Sequence, residues 1–201
     1  MEMKTPQKSI IEAVEENKIE IVVKALERGI DVNTQDESGK SLLLIATQAD
    51  NIEMIELLLQ HGADVNLQDS HHDSAFLYAG AAGQTSFLEL FLKHGARFDV
   101  YNRYNGTALI PACERGHVET VRLLANTNGF PIDHINRLGW TALMEAIVLG
   151  DGSARYIEIV QILVDAGCDT LISDKDGIFP LQHAERLGYT EILKILQIAK
   201  N

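Results

Sequence analysis

Apolar and polar positions follow one another along the chain in blocks that recur about every 33 residues. The second apolar segment of a block shows helical spacing, as in Ile52, Ile55, Leu58 and Leu59. Apolar residues at i, i+3, i+4 and i+7 indicate one buried face of a helix. Each block therefore predicts a helix, a tight turn and a second helix, followed by a polar segment that leads to the next block.

Helix start signals recur in register with these blocks. A hydroxyl residue precedes the first helix in four of them, where its oxygen can accept a hydrogen bond from a free backbone N–H. These predicted N-caps are Ser41, Ser74, Thr107 and Thr141. Pro180 in the first helical position gives the last block its start, and Thr5-Pro6 does so for the first. Pro111 lies about four residues into its helix and lacks a backbone donor, which predicts at most a local kink.

Small residues mark the same period. An alanine recurs in each first helix, where its small side chain lets neighbouring helices approach: Ala13, Ala46, Ala79, Ala112, Ala146 and Ala184. A glycine ends each block, at Gly29, Gly62, Gly95, Gly129 and Gly167, with spacings of 33, 33, 34 and 38. The last spacing places five extra residues near 150–155. A fixed period of this length indicates stacked repeats that share one core.

The repeat resembles the ankyrin family, most closely at 62–66, at 177–184 and at Gly116-His117-Val118. The resemblance implies an all-α fold, a solenoid of six stacked helix-turn-helix units with β-hairpin-like connecting loops. It implies a single domain, 1–201, with capping units near 5–35 and 174–201 and inner units near 36–68, 69–101, 102–135 and 136–173. The family's histidine slot holds other residues, so we expect packing to replace its hydrogen bonds: Leu44, Leu77, Ile110, Met144 and Gln182.

Composition narrows the classes of partner. The chain has 17 Lys and Arg against 29 Asp and Glu, a net charge of −12, which disfavours binding to a phosphate backbone. No run of 18 apolar residues predicts a membrane span, and the polar residues 1–5 do not resemble a signal peptide. Cys113 and Cys168 are too few for a disulfide framework, which favours a reducing compartment. We therefore expect a cytoplasmic monomer that binds neither nucleic acid nor membrane.

Candidate chemistry is sparse. The chain lacks the phosphate-binding, nucleophile-elbow, zinc-protease and paired-cysteine motifs, so we predict no enzyme and no cofactor. The one cluster that suggests a metal is His71-His72-Asp73, in a connecting hairpin where His72 replaces a family glycine. Adjacent residues of a strand point to opposite faces, and the sequence places no third ligand nearby, which disfavours chelation. A redox role for the two cysteines is a minor alternative.

The resemblance implies a non-catalytic scaffold that binds an unidentified protein partner in a concave groove. It assigns contacts to the second, third and fifth positions of each unit and to the end of the first helix. The C-terminal half carries the chain's one Trp there, with Arg, Tyr and apolar residues, the types enriched at binding hot spots. The predicted partner-binding residues are Arg103, Tyr104, Glu114, Arg115, Arg137, Leu138, Trp140, Val148, Leu149, Asp151, Arg155 and Ile178.

Charge is distributed unevenly along the repeats. Residues 36–68 carry one Lys and six acids, whereas residues 102–135 carry three Arg and three acids. This contrast indicates an acidic or mixed partner on the C-terminal half. Three alternatives stay open: Trp140 packs on a neighbouring hairpin; His71, His72 and Asp73 or the insertion bind a small ligand or metal; or the chain self-assembles end to end through imperfect caps.

Overall fold

A computed structural model describes residues 6–199. Thr5, which belongs to the predicted start signal of the first helix, lies outside the described residues. The described chain is helical, and its only pairing of β type is an isolated bridge between Gln35 and Ser41. Twelve helices follow one another in the order α1 (Pro6–Glu15), α2 (Ile19–Glu27), α3 (Leu42–Gln48), α4 (Ile52–Gln60), α5 (Ala75–Ala82), α6 (Thr85–Lys93), α7 (Leu109–Glu114), α8 (Val118–Ala125), α9 (Ala142–Val148), α10 (Ala154–Asp165), α11 (Pro180–Leu187) and α12 (Thr190–Ala199).

The helix starts follow the predicted signals, with one exception. In Ser41, Ser74 and Thr141 the side-chain oxygen accepts a hydrogen bond of 3.1–3.2 Å from the backbone N–H three residues later. These N-caps are confirmed. Each satisfies one of the backbone donors that the first turn of a helix leaves without a partner.

The prediction that Thr107 caps a helix is wrong. Helix α7 begins at Leu109, and Ala108 takes the N-cap position with helical dihedral angles. Thr107 Oγ1 is buried and has no hydrogen-bond partner among the described residues. Since Pro111 has no N–H, it cannot donate to the carbonyl of Thr107, so the helix starts late. The effect of this proline is thus a helix of six residues.

Buried small and apolar side chains form the interior as expected. All six recurring alanines are at most 3% exposed, which confirms their role in close helix packing. Four residues of the histidine slot are buried apolar side chains: Leu44, Leu77, Ile110 and Met144. The fifth, Gln182, is exposed, and its Oε1 accepts a hydrogen bond of 2.9 Å from the backbone N–H of Phe179 at the start of α11.

Contacts divide the chain into two compact units. The first comprises Met1–Ala79 with Ser86–Arg97, and the second comprises Gly80–Thr85 with Phe98–Asn201. In the first unit, α1 packs on α2 and α3, and α3 packs on α4. In the second unit, α7, α9 and α11 form one layer, and their partners α8, α10 and α12 form another. The single domain and the six repeat boundaries stay predictions.

The polar connections form five-residue hairpins with one design. The first residue is Asp or Asn, and its Oδ1 accepts hydrogen bonds of 2.8–3.1 Å from the backbone N–H groups two and four residues later: Asp36, Asp69, Asn102, Asn136 and Asp174. Its own N–H donates to the carbonyl of the fifth residue at 2.9–3.0 Å. The fourth residue has a positive φ, between 58° and 87°: Gly39, His72, Asn105, Gly139 and Gly177.

His72 adopts this left-handed conformation least favourably of the five residues. We expect His72→Gly to stabilise the protein by about 0.5–1 kcal/mol. A β-carbon is disfavoured at its φ of 62°, whereas glycine adopts that angle without steric cost. The side chain is exposed, so little packing is lost. The greater freedom of glycine in the unfolded chain limits the gain. Thermal unfolding followed by circular dichroism measures the change.

Asn105→Gly is the comparison at the same hairpin position, where φ is 58°. Its replacement should gain less, because asparagine tolerates the left-handed region better than histidine does and because the half-buried Asn105 places its Nδ2 3.4 Å from His134 Nε2. Equal gains at the two positions, or a loss at His72, would contradict this account of strain.

Candidate functional site

Three consecutive hairpins of the second unit, 102–106, 136–140 and 174–178, lie side by side. The backbone N–H of Arg137 donates to the carbonyl of Tyr104 at 2.8 Å. The second residue of each hairpin is a cation, and we call Arg103, Arg137 and Lys175 the cation row. Arg137 Nη1 donates to the carbonyl of Arg103 at 3.0 Å, and Lys175 Nζ donates to the carbonyl of Arg137. Each step of the row is thus anchored on the preceding hairpin.

Large apolar side chains stand beside the cation row. Tyr104 is 50% exposed and Leu138 is 48% exposed, and both hold the third position of their hairpins. The guanidinium of Arg103 lies over the Tyr104 ring, 4.9 Å from its centroid. Trp140 and Ile178, at the fifth position, are half-buried. Trp140 therefore packs in part and reaches the surface in part.

A second group of predicted residues lies where the first helices end. Glu114, Arg115 and Leu149 are exposed, Leu149 by 47%, and Val148 is half-buried. Arg115 Nη1 donates to the carbonyl of Ala81 at 2.7 Å. The first helices separate this group from the hairpins, because a hairpin precedes each helix and these residues follow it.

The five-residue insertion lengthens a helix as well as a loop. Helix α9 ends at Val148 and α10 begins at Ala154, which leaves a long loop between them. Helix α10 has 12 residues, whereas the corresponding helix α8 has 8. The predicted site residues Asp151 and Arg155 are both exposed. Hydrogen bonds from Ser153 lower the pKa of Asp151. Arg155 lies 5.3 Å from the ring centroid of Tyr156, so its charge is carried beside an aromatic face.

Two tyrosines that were not predicted from the sequence as site residues connect neighbouring repeats of the second unit. Tyr156 donates its hydroxyl to the carbonyl of Glu114 at 2.7 Å, and Tyr189 donates its own to the carbonyl of Gly150 at 2.9 Å. Their repeat positions could have identified them, because both tyrosines align with His117 of an earlier repeat. Gly188-Tyr189-Thr190-Glu191 aligns with Gly116-His117-Val118-Glu119, and Tyr156-Ile157-Glu158 aligns with the same segment.

A buried carboxyl was also missed. Glu145 is 4% exposed, and its Oε1 accepts a hydrogen bond of 2.8 Å from Asn136 Nδ2. Burial raises the pKa of Glu145 to about 7; the hydrogen bond opposes that rise, and the charge of Glu114 adds to it. The next repeat makes the same link between hairpin and helix, with His183 Nε2 2.7 Å from Asp174 Oδ2.

The histidine cluster gains no support as a metal site from its geometry. His71 Nδ1 lies 3.8 Å from Asp69 Oδ2, in the hairpin whose turn residue is His72. Among residues 6–199, no three His, Cys, Asp or Glu side chains are placed to hold a metal ion.

Both cysteines have a raised pKa. Burial raises the pKa of Cys113 well above its ordinary value and that of Cys168 to about 12, so the reactive thiolate is rare at both.

Among residues 6–199, no helix combines the length and the apolar character needed to cross a lipid bilayer.

Paired short helices joined by hairpins of one repeated design define a helical repeat protein of the ankyrin type. The family model for ankyrin repeats matches residues 10–102 and 76–174, and the chain belongs to this family. The predicted all-α fold built from ankyrin repeats is thereby confirmed. Repeats of this family generally mediate protein–protein interactions.

Two of the proteins that this chain resembles come from bacteria. The ankyrin repeat protein YahD of Escherichia coli strain K12 is 41% identical over 90 residues, and the match covers 44% of each chain. The chain thus matches less than half the length of that curated relative. An ankyrin repeat domain from Acinetobacter baumannii AYE is 47% identical with a TM-score of 0.92, covering 96% of this chain and 97% of that one. The ankyrin repeat protein EF0377 is 40% identical with a TM-score of 0.89, covering 94% and 96%.

Proposed function

We propose that the protein binds a protein partner, without catalysis of its own, on the second unit. The binding face comprises the hairpins 102–106, 136–140 and 174–178 and the ends of α7 and α9. One observation carries the proposal: Tyr104 and Leu138, each about half exposed, stand on adjacent hairpins beside Arg137. Exposed apolar groups next to Tyr and Arg are typical of binding hot spots. In this proposal the protein acts as a cytoplasmic monomer.

Rigidity of the hairpins supports this assignment. The side chain of Asn136 accepts from the backbone N–H groups of Leu138 and Trp140, and backbone hydrogen bonds close the same turn. A surface that is already ordered loses little conformational entropy on binding, so more of the contact energy appears as affinity. Leu149 adds a separate exposed apolar side chain, at the end of α9 opposite to its hairpin and next to the insertion.

Site-specific photo-crosslinking in the native host tests the proposal. A photoreactive amino acid replaces Leu138 or Leu149, and cells are irradiated before purification of the protein under denaturing conditions. We expect one discrete adduct with the same partner from both positions, identified by mass spectrometry. Because both side chains are already exposed, the replacement should leave the fold unchanged.

Ile21 serves as the matched control position. It is an exposed apolar residue in the first unit, with 47% of its surface accessible, close to the values of Leu138 and Leu149. The proposal fails if Leu138 and Leu149 give no adduct, or if Ile21 captures the same protein with equal yield.

A further inference from the structure

The cation row stands out against the charge of the chain. The whole sequence has a net charge of −12, yet the second position of three consecutive hairpins carries Arg103, Arg137 and Lys175. The corresponding positions in the first two hairpins hold Glu37 and Ser70. At the second position of these five hairpins, positive charge is therefore found only in the second unit.

The side chains of this row are held in place. The guanidinium of Arg137 donates one N–H to the carbonyl of Arg103, and the ammonium of Lys175 donates one N–H to the carbonyl of Arg137. A guanidinium has five N–H donors and an ammonium has three, so most donors of these two exposed groups remain for a ligand. No carboxylate among residues 6–199 forms an ion pair with either of them.

The spacing of the row follows from the packing of the helices behind it. Helix α7 packs on α9, and α9 packs on α11. Packed helices lie about 8–10 Å apart, so the hairpins that precede α7, α9 and α11 recur at about that distance. A chain in the polyproline II conformation rises about 3.1 Å per residue with three residues per turn, which brings every third side chain to one face at about 9 Å.

We propose that the cation row binds an extended acidic peptide segment of the partner, with a carboxylate at every third residue. Each carboxylate accepts hydrogen bonds from one cation, and the residues between them lay apolar side chains on Tyr104 and Leu138. This inference rests on the proposed function, and it adds the chemistry and the conformation of the bound segment.

The hairpin tips also indicate where the acidic pattern should end. The third position carries Tyr104, Leu138 and then Asp176. Apolar contact is therefore available at the first two hairpins, whereas an exposed carboxylate stands beside Lys175 at the last. We infer that the segment is apolar between its first two carboxylates and polar or basic next to the third.

Fluorescence anisotropy with a defined peptide tests the inference. The probe consists of three tandem Glu-Pro-Leu units with an N-terminal fluorescein, and proline holds it near the polyproline II conformation. We expect saturable binding that weakens as salt is added, because exposed charge pairs are screened. A peptide with the same composition but three adjacent Glu residues should bind about tenfold more weakly, since only one of its carboxylates can match the spacing.

Two triple variants separate the row from the general charge of the chain. Arg103→Gln, Arg137→Gln and Lys175→Gln together should weaken binding of the spaced peptide about tenfold. Lys24→Gln, Arg28→Gln and Lys93→Gln remove the same charge from exposed positions in the first unit. This second variant should change the affinity by no more than about twofold.

The inference is overturned if the spaced peptide does not bind, if both peptides bind equally, or if both triple variants behave alike. Tighter binding of a single-stranded oligonucleotide of equal charge would also overturn it, in favour of phosphate recognition. These results are independent of the crosslinking test. An adduct at Leu138 with no affinity for the acidic peptide removes the inference and leaves the proposed function standing.

Discussion

Replacing Gly80 by valine should destabilise the protein by about 3 kcal/mol, as overpacking at a buried site does. Gly80 lies within α5, and a β-carbon built there would stand 2.6 Å from Ala108 Cβ and 2.7 Å from its carbonyl oxygen. Ala108 is itself 1% exposed, so it has little room to move. Alanine in place of glycine inside a helix gains about 1 kcal/mol, which is too little to offset this clash.

The size of this effect is measurable as a shift in the thermal midpoint. For a chain of 201 residues, a loss of about 3 kcal/mol lowers the midpoint by about 6–12 °C. Ala82→Val is the control, because Ala82 lies on the same helix and is exposed. Its midpoint should stay within about 2 °C of the wild type.

A second substitution tests the cause of the loss. Ala108→Gly removes one of the two atoms in conflict but leaves the carbonyl oxygen, so it should restore part of the stability that Gly80→Val loses. Full tolerance of Gly80→Val, or equal losses at Gly80 and Ala82, would show that the backbone of Ala108 does not limit this position.

The parts of the fold that follow from local rules could be predicted from the sequence. The recurring alanines are buried because their period matches the packing of neighbouring helices, and Ser41 and Thr141 cap helices because the donor lies only three residues away. Thr107 shows the limit of reading one position alone. Its hydroxyl has the right spacing, but Pro111 removes the backbone donor that would begin the helix at that point.

The repeat positions of the candidate site residues could be predicted from the sequence, but the contacts that these residues make could not. The hairpin positions of Arg103 and Arg137 follow from the repeat, but the bond from Arg137 to the carbonyl of Arg103 depends on how closely two hairpins approach. Tyr156 and the carbonyl of Glu114 are 42 residues apart and meet only because neighbouring repeats pack together. Such contacts need three-dimensional spacing that a one-dimensional pattern does not contain.

Glu145→Gln should stabilise the protein at pH 8 by about 3 kcal/mol and change its stability near pH 4.5 by less than about 0.5 kcal/mol. Burial raises the pKa of Glu145 from an ordinary 4.5 to about 7 in the folded protein. Below pH 4.5 the carboxyl is protonated in both states. As the pH rises toward 7, the unfolded chain releases the proton and the folded protein retains it, so the wild type loses stability across this window. Above pH 7 the loss levels off.

Glutamine is the appropriate replacement because it is neutral at every pH and has nearly the shape of glutamate. Its amide oxygen can still accept the hydrogen bond of 2.8 Å from Asn136 Nδ2. His117 acts in the opposite direction in part of this range, since burial lowers its pKa, and the charges of Arg115 and Arg155 add to that effect. The comparison between variant and wild type cancels this contribution, because both proteins contain His117.

The measurement is the free energy of unfolding by urea at intervals from pH 4.5 to 8. The difference between Glu145→Gln and wild type should grow with pH and become constant above pH 7. Glu53→Gln is the control, because Glu53 is an exposed carboxylate on α4; its difference from wild type should stay within about 0.5 kcal/mol at every pH. Parallel curves for Glu145→Gln and wild type would show that the carboxyl is already ionised in the folded protein, and that water reaches it beneath the hairpin of Asn136.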